Sequence, residues 1–179
     1  MIIFDPNLSL KRRAQIGCVA GLVGGFAIFI SIFVIDLSLG ANQGAFYKVI
    51  GMAFGMSGLA AILSGMILHM LVAAAIGTVF GIGTIYKRLD IHSTKKGAIA
   101  GLVTGMAVFF AFFVPISTFV IMPIIRSNPN SDAPILAKTG LIMMGSFELH
   151  AVYGIVMGVF FAIAIQVEAK TKFTVTAEA

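Results

Sequence analysis

The sequence predicts an all-α integral membrane protein, with four transmembrane helices forming two tandem helical hairpins. Three observations carry that prediction. Of 179 residues, 59% are hydrophobic and only 11% are charged, where a soluble domain carries about 25% charged residues. The apolar residues fall in runs long enough for the roughly 20 residues of helix that cross a bilayer. One stretch also occurs twice: Gly17-Cys-Val-Ala-Gly21-Leu-Val-Gly-Gly25 returns eighty residues later as Gly97-Ala-Ile-Ala-Gly101-Leu-Val-Thr-Gly105.

Met1 to Leu10 is short and mixed, with a turn at Asp5-Pro6-Asn7. Asn7-Leu8-Ser9 matches a glycosylation sequon, which the orientation derived below discounts. Lys11-Arg12-Arg13 is a basic anchor, and helix 1 follows over about 14–36. That run has spanning length and lacks a cleavage signal, so it is read as a helix and not as a signal peptide. Asp36 marks its far end and is read as surface-hydrated. Asn42-Gln43-Gly44 is a turn. A single helix from Gln43 to Tyr86 would be about 66 Å long, twice what a bilayer needs. A break is therefore expected near Gly51 to Gly58, after a short interfacial helix around Ala45-Phe46-Tyr47. Helix 2 then covers about 59–86.

Tyr86 to Lys96 is a basic connector containing His92, read as a solvated loop histidine. Helix 3 covers about 97–124. Each proline removes a backbone hydrogen bond and clashes with the preceding turn, so a kink is expected near Pro115 and an end near Pro123. Arg126 to Pro134 is a polar, proline-containing loop. Helix 4 covers about 136–167, and Glu168, Lys170 and Lys172 mark the return to water before a short polar tail.

The likeness of the halves extends to helices 2 and 4. Gly65, His69, Ala73, Gly77 and Gly81 recur at steps of four, as do Ser146, His150, Gly154, Gly158 and Ala162. Leu68-His69 matches Leu149-His150, and Phe80 matches Phe161. The chain thus reads as one membrane domain, 1–179, with repeats at 11–88 and 91–169. An even number of spans per copy inserts both the same way up, giving a pseudo-two-fold axis along the membrane normal. Residues four apart share a helix face. The stripes predict close helix contacts through Gly17, Gly21, Gly25, Gly77, Gly81, Gly97, Gly101, Gly105, Gly154 and Gly158, a glycine zipper of GxxxG spacing. Phe29, Phe33, Phe109 and Phe113 continue the stripes of helices 1 and 3 as aromatic ridges.

Orientation follows from the bases. Lys11, Arg12, Arg13, Lys87, Arg88, Lys95, Lys96, Lys170 and Lys172 lie on one side, against Lys48, Arg126 and Lys138 on the other. Basic residues stay on the cytoplasmic side, so both termini of this multi-pass cell-membrane protein are predicted cytoplasmic.

His69 and His150 are the sharpest chemical candidates. Each lies on a small-residue stripe near mid-membrane, where an ionisable group is expensive and is paired or functional. Interhelical hydrogen bonding is the leading reading. By symmetry the pair would face each other and ligate a haem b iron, or a copper or zinc ion with a third ligand. Glu148 has no acidic counterpart, because Ile67 holds the matching place. It points away from the histidine stripe and reads as a subunit contact or a proton site. Cys18 is the only cysteine, so an internal disulfide is excluded, and it reads as a packing residue. The ten methionines are scattered and read as packing. No phosphate loop, nucleophile elbow or zinc-protease motif occurs, and no basic stripe suited to nucleic acid.

The leading functional expectation is a non-catalytic accessory subunit of a larger prokaryotic membrane complex, such as a respiratory or monooxygenase assembly. Its partners would be the lipid bilayer, other integral membrane subunits, or further copies of itself. One alternative is a small haem- or metal-binding redox protein using His69 and His150. Another is a minimal proton-coupled transporter or channel.

Overall fold

The computed structural model describes residues 8–38, 40–86, 91, 93–127 and 139–177. These residues form helices joined by turns. Helix α1 is Leu10–Ser38, α2 is Ala45–Met52, and α3 is Gly58–Gly83. Helix α4 is Thr94–Ser127 and α5 is Thr139–Ala177. Four helices, all but α2, are long and apolar enough to cross a membrane.

The expected break in the second hairpin arm is present. Residues 53–57 turn, with Gly55 at φ 75°, a left-handed conformation that favours glycine. The short helix before it is α2, but it is packed into the bundle along the first half of α3. Tyr47 at its centre is fully buried. Gly51 and Gly65 have no side chain, so the backbones of α2 and α3 meet at Ala61 and Tyr47.

Several helix ends differ from the sequence expectation. Helix α1 begins at Leu10, so the basic triplet is helical. Arg13 is only 4% exposed. Its guanidinium donates to the Thr84 carbonyl (3.3 Å), the Thr84 hydroxyl (3.1 Å) and the Leu8 carbonyl (3.4 Å). It therefore satisfies orphan acceptors just past the end of α3, where the helix dipole is negative. Helix α3 ends at Gly83, and 84–86 form a turn. Helix α4 starts three residues early, because the Ser93 hydroxyl caps it by accepting from the Lys96 N–H at 3.2 Å. Helix α5 continues to Ala177 where a polar tail was expected, since no Gly or Pro follows Gly158 to stop it.

Helix α4 passes both prolines and ends at Ser127, beyond the stop expected at Pro123. It does so through two π-helical segments, Phe109–Phe113 and Ser117–Ile121. Each lies just ahead of a proline. The wider turn moves the carbonyl that the pyrrolidine ring would strike, so the helix carries on without a break.

Helix α1 packs along both α3 and α5, and α4 packs along α5. Large side chains bridge α3 to α5: Phe80 meets Phe161 edge-to-face at 5.3 Å. The Tyr153 hydroxyl donates to the Ala73 carbonyl at 2.9 Å. At the end of the bundle near Leu10, Arg12 grips Glu168 through two hydrogen bonds of 2.9 and 2.8 Å. The exposed surface is apolar, with Leu59, Leu71, Val79, Val103, Phe110 and Phe119 all more than half exposed. That surface suits lipid and not water.

Asn7, Lys87, Arg88, His92, Lys138 and the loop residues 128–134 lie outside the described residues.

Candidate functional site

The glycine stripes set the geometry around both histidines. A Cβ at Gly17 or Gly21 would strike the backbone of Gly77 and Gly81, or of Ala73 and Gly77. On the other side, Gly97 faces Gly158 and Ala162, Gly101 faces Gly154 and Gly158, and Gly105 faces His150 and Gly154. At these steps the helices meet backbone to backbone, and at Gly25 the neighbours are the side chains of Ala73, Met70 and His69.

His69 lies level with Gly25, one residue past the midpoint of α1. Its Nε2 sits 3.3 Å from the Gly25 carbonyl oxygen. A carbonyl only accepts, so Nε2 carries the proton and Nδ1 is left as an acceptor. Tyr47 stands edge-to-face against the imidazole at 5.5 Å and rests in turn on Phe29 (5.8 Å) and Phe33 (6.3 Å). Its hydroxyl is buried without a hydrogen-bond partner among the described residues. Tyr47 lies outside the four long helices, and burial pushes its phenol above the ordinary value, with the charge of Asp36 pushing the same way.

His150 is arranged differently. Its Nδ1 lies 2.7 Å from the Ser146 carbonyl of its own helix, so Nδ1 holds the proton and Nε2 is the acceptor. The ring packs directly on Phe109 (5.5 Å) and Phe113 (5.1 Å) in the first π segment of α4. The two imidazoles thus hold opposite tautomers and spend their N–H groups on different carbonyls.

The room beside the glycines, which a flat macrocycle would need, is filled by neighbouring backbone. For a metal ion, no group of three or more His, Cys, Asp or Glu side chains occurs among the described residues.

Asp36 departs from expectation. It is buried, and its carboxylate accepts from the Gly44 N–H at 2.9 Å. The carboxylate thereby caps the start of α2. Gly44, at φ 79°, turns the chain back to make this possible. An acidic residue eight positions before a glycine turn is a weak signal, so the sequence placed Asp36 in water.

Glu148 is exposed and makes no hydrogen bond or ion pair with the described residues. It shares the outer face of α5 with Met144, Phe147, Val152 and Ile155, all of them exposed. Its depth is set by Tyr153, which packs against Gly24 at the midpoint of α1. Five residues separate Glu148 from Tyr153, about 7 Å along the axis, and Glu148 falls inside the apolar span Ile142–Ala169 of α5. Cys18 is half-buried and free.

No family model matches the chain, and no curated protein or solved structure is significantly similar to it.

Proposed function

We propose that this protein is an accessory subunit of a larger prokaryotic membrane assembly, docking through the outer face of α5. The observation that carries the proposal is Glu148: an exposed carboxyl within the apolar span of α5, with no hydrogen bond or ion pair among the described residues. A charged or strongly polar group facing lipid is expensive. The corresponding position in the first half is Ile67, 60% exposed, the ordinary residue for a lipid-facing site. A partner helix offering a donor or a cation at this depth would remove the cost.

The reading includes a tandem duplication with parallel pseudo-two-fold symmetry. Matched glycines meet matched partners in its support: Gly17 with Gly77 and Gly81, and Gly97 with Gly158 and Ala162. The matched pair Phe80 and Phe161 also touch each other, as residues beside an axis would. The stripes then act as a glycine zipper within each hairpin. Both termini are proposed to be cytoplasmic in the cell membrane, on the side where Arg12 and Glu168 join α1 to α5.

Purification from native membranes in mild detergent tests the subunit proposal. Expected is a complex of fixed stoichiometry that Glu148→Gln weakens while the chain stays folded. A chain that remains alone, or a complex indifferent to Glu148→Gln, would reject it.

A further inference from the structure

We propose, on the strength of the docking proposal above, that the partner on the outer face of α5 is a membrane-spanning helix of a different chain, carrying an arginine or lysine opposite Glu148. The neighbours of Glu148 fix its level in the bundle. Phe147 meets Phe109 edge-to-face at 5.4 Å and Phe110 at 6.4 Å. Both rings lie at the middle of α4, Thr94–Ser127. The Glu148 carboxyl is exposed there and has no hydrogen bond or ion pair among the described residues. Around it Met144, Phe147 and Val152 are exposed and apolar. A carboxylate on such a surface calls for a positive partner.

A second copy of this chain does not supply that charge. Copies inserted the same way up keep each residue at its own level. Among the described residues, α3 has no Lys or Arg. The bases of α1 and α4 lie in their first or last turns: Lys11, Arg12 and Arg13, then Lys95, Lys96 and Arg126. Lys96 and Arg126 are roughly 20 Å or more along the axis from Phe109 and Phe110. Lys170 and Lys172 lie beyond the apolar span of α5. Lys48 on α2 already has an interaction within the chain. His69 and His150 give their N–H groups to backbone carbonyls inside it. The positive charge therefore comes from another chain.

The face also has room for a long basic side chain. Gly145 lies one turn before Glu148, and a Cβ there would meet nothing within 4 Å. Residues three apart are neighbours on a helix, so a notch adjoins the carboxyl. The aliphatic stem of an arginine or lysine lies in that notch while its head forms charge-assisted hydrogen bonds with Glu148. The matching positions in α3 are Ser64 and Ile67, which offer neither notch nor charge.

The test uses two synthetic membrane-spanning helices of leucine and alanine, one with a central arginine and one with leucine in its place. Each is reconstituted with the purified chain in lipid vesicles, and association is read by resonance energy transfer to a dye at the C-terminus of the chain. The arginine helix should bind at least tenfold more tightly than the leucine helix. Glu148→Gln should abolish that preference, and Gly145→Leu should reduce it. Equal binding of the two helices would overturn the proposal, and so would a preference that survives Glu148→Gln. Association between two copies of the chain that Glu148→Gln abolishes would also overturn it, by placing a second copy on the face. The wild-type comparison stands even where a variant does not fold. A native complex that depends on Glu148, without any preference for the arginine helix, would reject the basic partner and leave the docking proposal intact. A chain found alone in native membranes that still prefers the arginine helix would reject the docking proposal and keep the preference of this face for a base.

Discussion

Adding one methyl group at Gly21 tests the packing most directly. A Cβ there would lie 2.9 Å from the Gly77 Cα and nearer still to the Ala73 carbonyl oxygen. Carbon atoms pack at about 3.5–4.0 Å, so α1 and α3 must part by roughly 1 Å. Neither obstacle is a flexible side chain that can turn aside. A gap of that size forfeits a quarter to a half of each dispersion contact along the seam. In lipid no hydrophobic force offsets the loss. Overpacking of this kind costs about 1–3 kcal/mol, and Gly21→Leu should cost more. Gly145→Ala is the matched control, because a Cβ at Gly145 meets nothing within 4 Å. That change should be neutral, or stabilising by up to about 1 kcal/mol through helix propensity. Reversible unfolding by SDS, followed by circular dichroism, measures both. Equal stability of Gly21→Ala and Gly145→Ala would refute the reasoning.

Two further changes probe the polar contacts. Tyr153→Phe removes the hydroxyl bonded to the Ala73 carbonyl and should cost about 0.5–1.5 kcal/mol in the same unfolding assay. Asp36→Ala strips the cap from α2 and leaves the buried Gly44 N–H open, at about 1–3 kcal/mol. Amide exchange should quicken across Ala45–Met52 while α1 and α5 stay protected.

The four long helices were legible because bilayer thickness dictates their length, and the break before α3 because one helix there would be twice too long. The small-residue stripes were legible because a period of four is visible in one dimension. What escaped depends on the third. Proline usually stops a helix, and nothing local signals that a π turn will carry α4 past Pro115 and Pro123. Arg13 and Asp36 look like interfacial charges until the fold brings Thr84 and Gly44 to them. Tyr47 looked like part of an interfacial helix because its partners, Phe29, Phe33 and His69, come from two other helices. The two histidines were found as a pair, and only the backbone carbonyls near each one distinguish their tautomers.

The residues with matched counterparts are mostly packing residues, and the polar groups Asp36, Tyr47, Glu148 and Tyr153 stand outside that matched set. Glu148→Ile separates the two roles. It gives α5 the residue that α3 carries at the corresponding exposed position, Ile67, and breaks no hydrogen bond or ion pair among the described residues. If the carboxyl serves only the chain itself, its loss should be neutral or harmful to the isolated protein. If it serves a partner, the isolated protein should become more stable in lipid. A charged carboxyl near mid-helix costs up to about 3 kcal/mol, and less when protonated or hydrated. The same variant should then fail to assemble in native membranes. Stability is read by SDS unfolding in bicelles, and assembly by the size of the detergent-solubilised complex. A variant less stable alone yet fully assembled would place the role of Glu148 within this chain and remove the basis of the docking face.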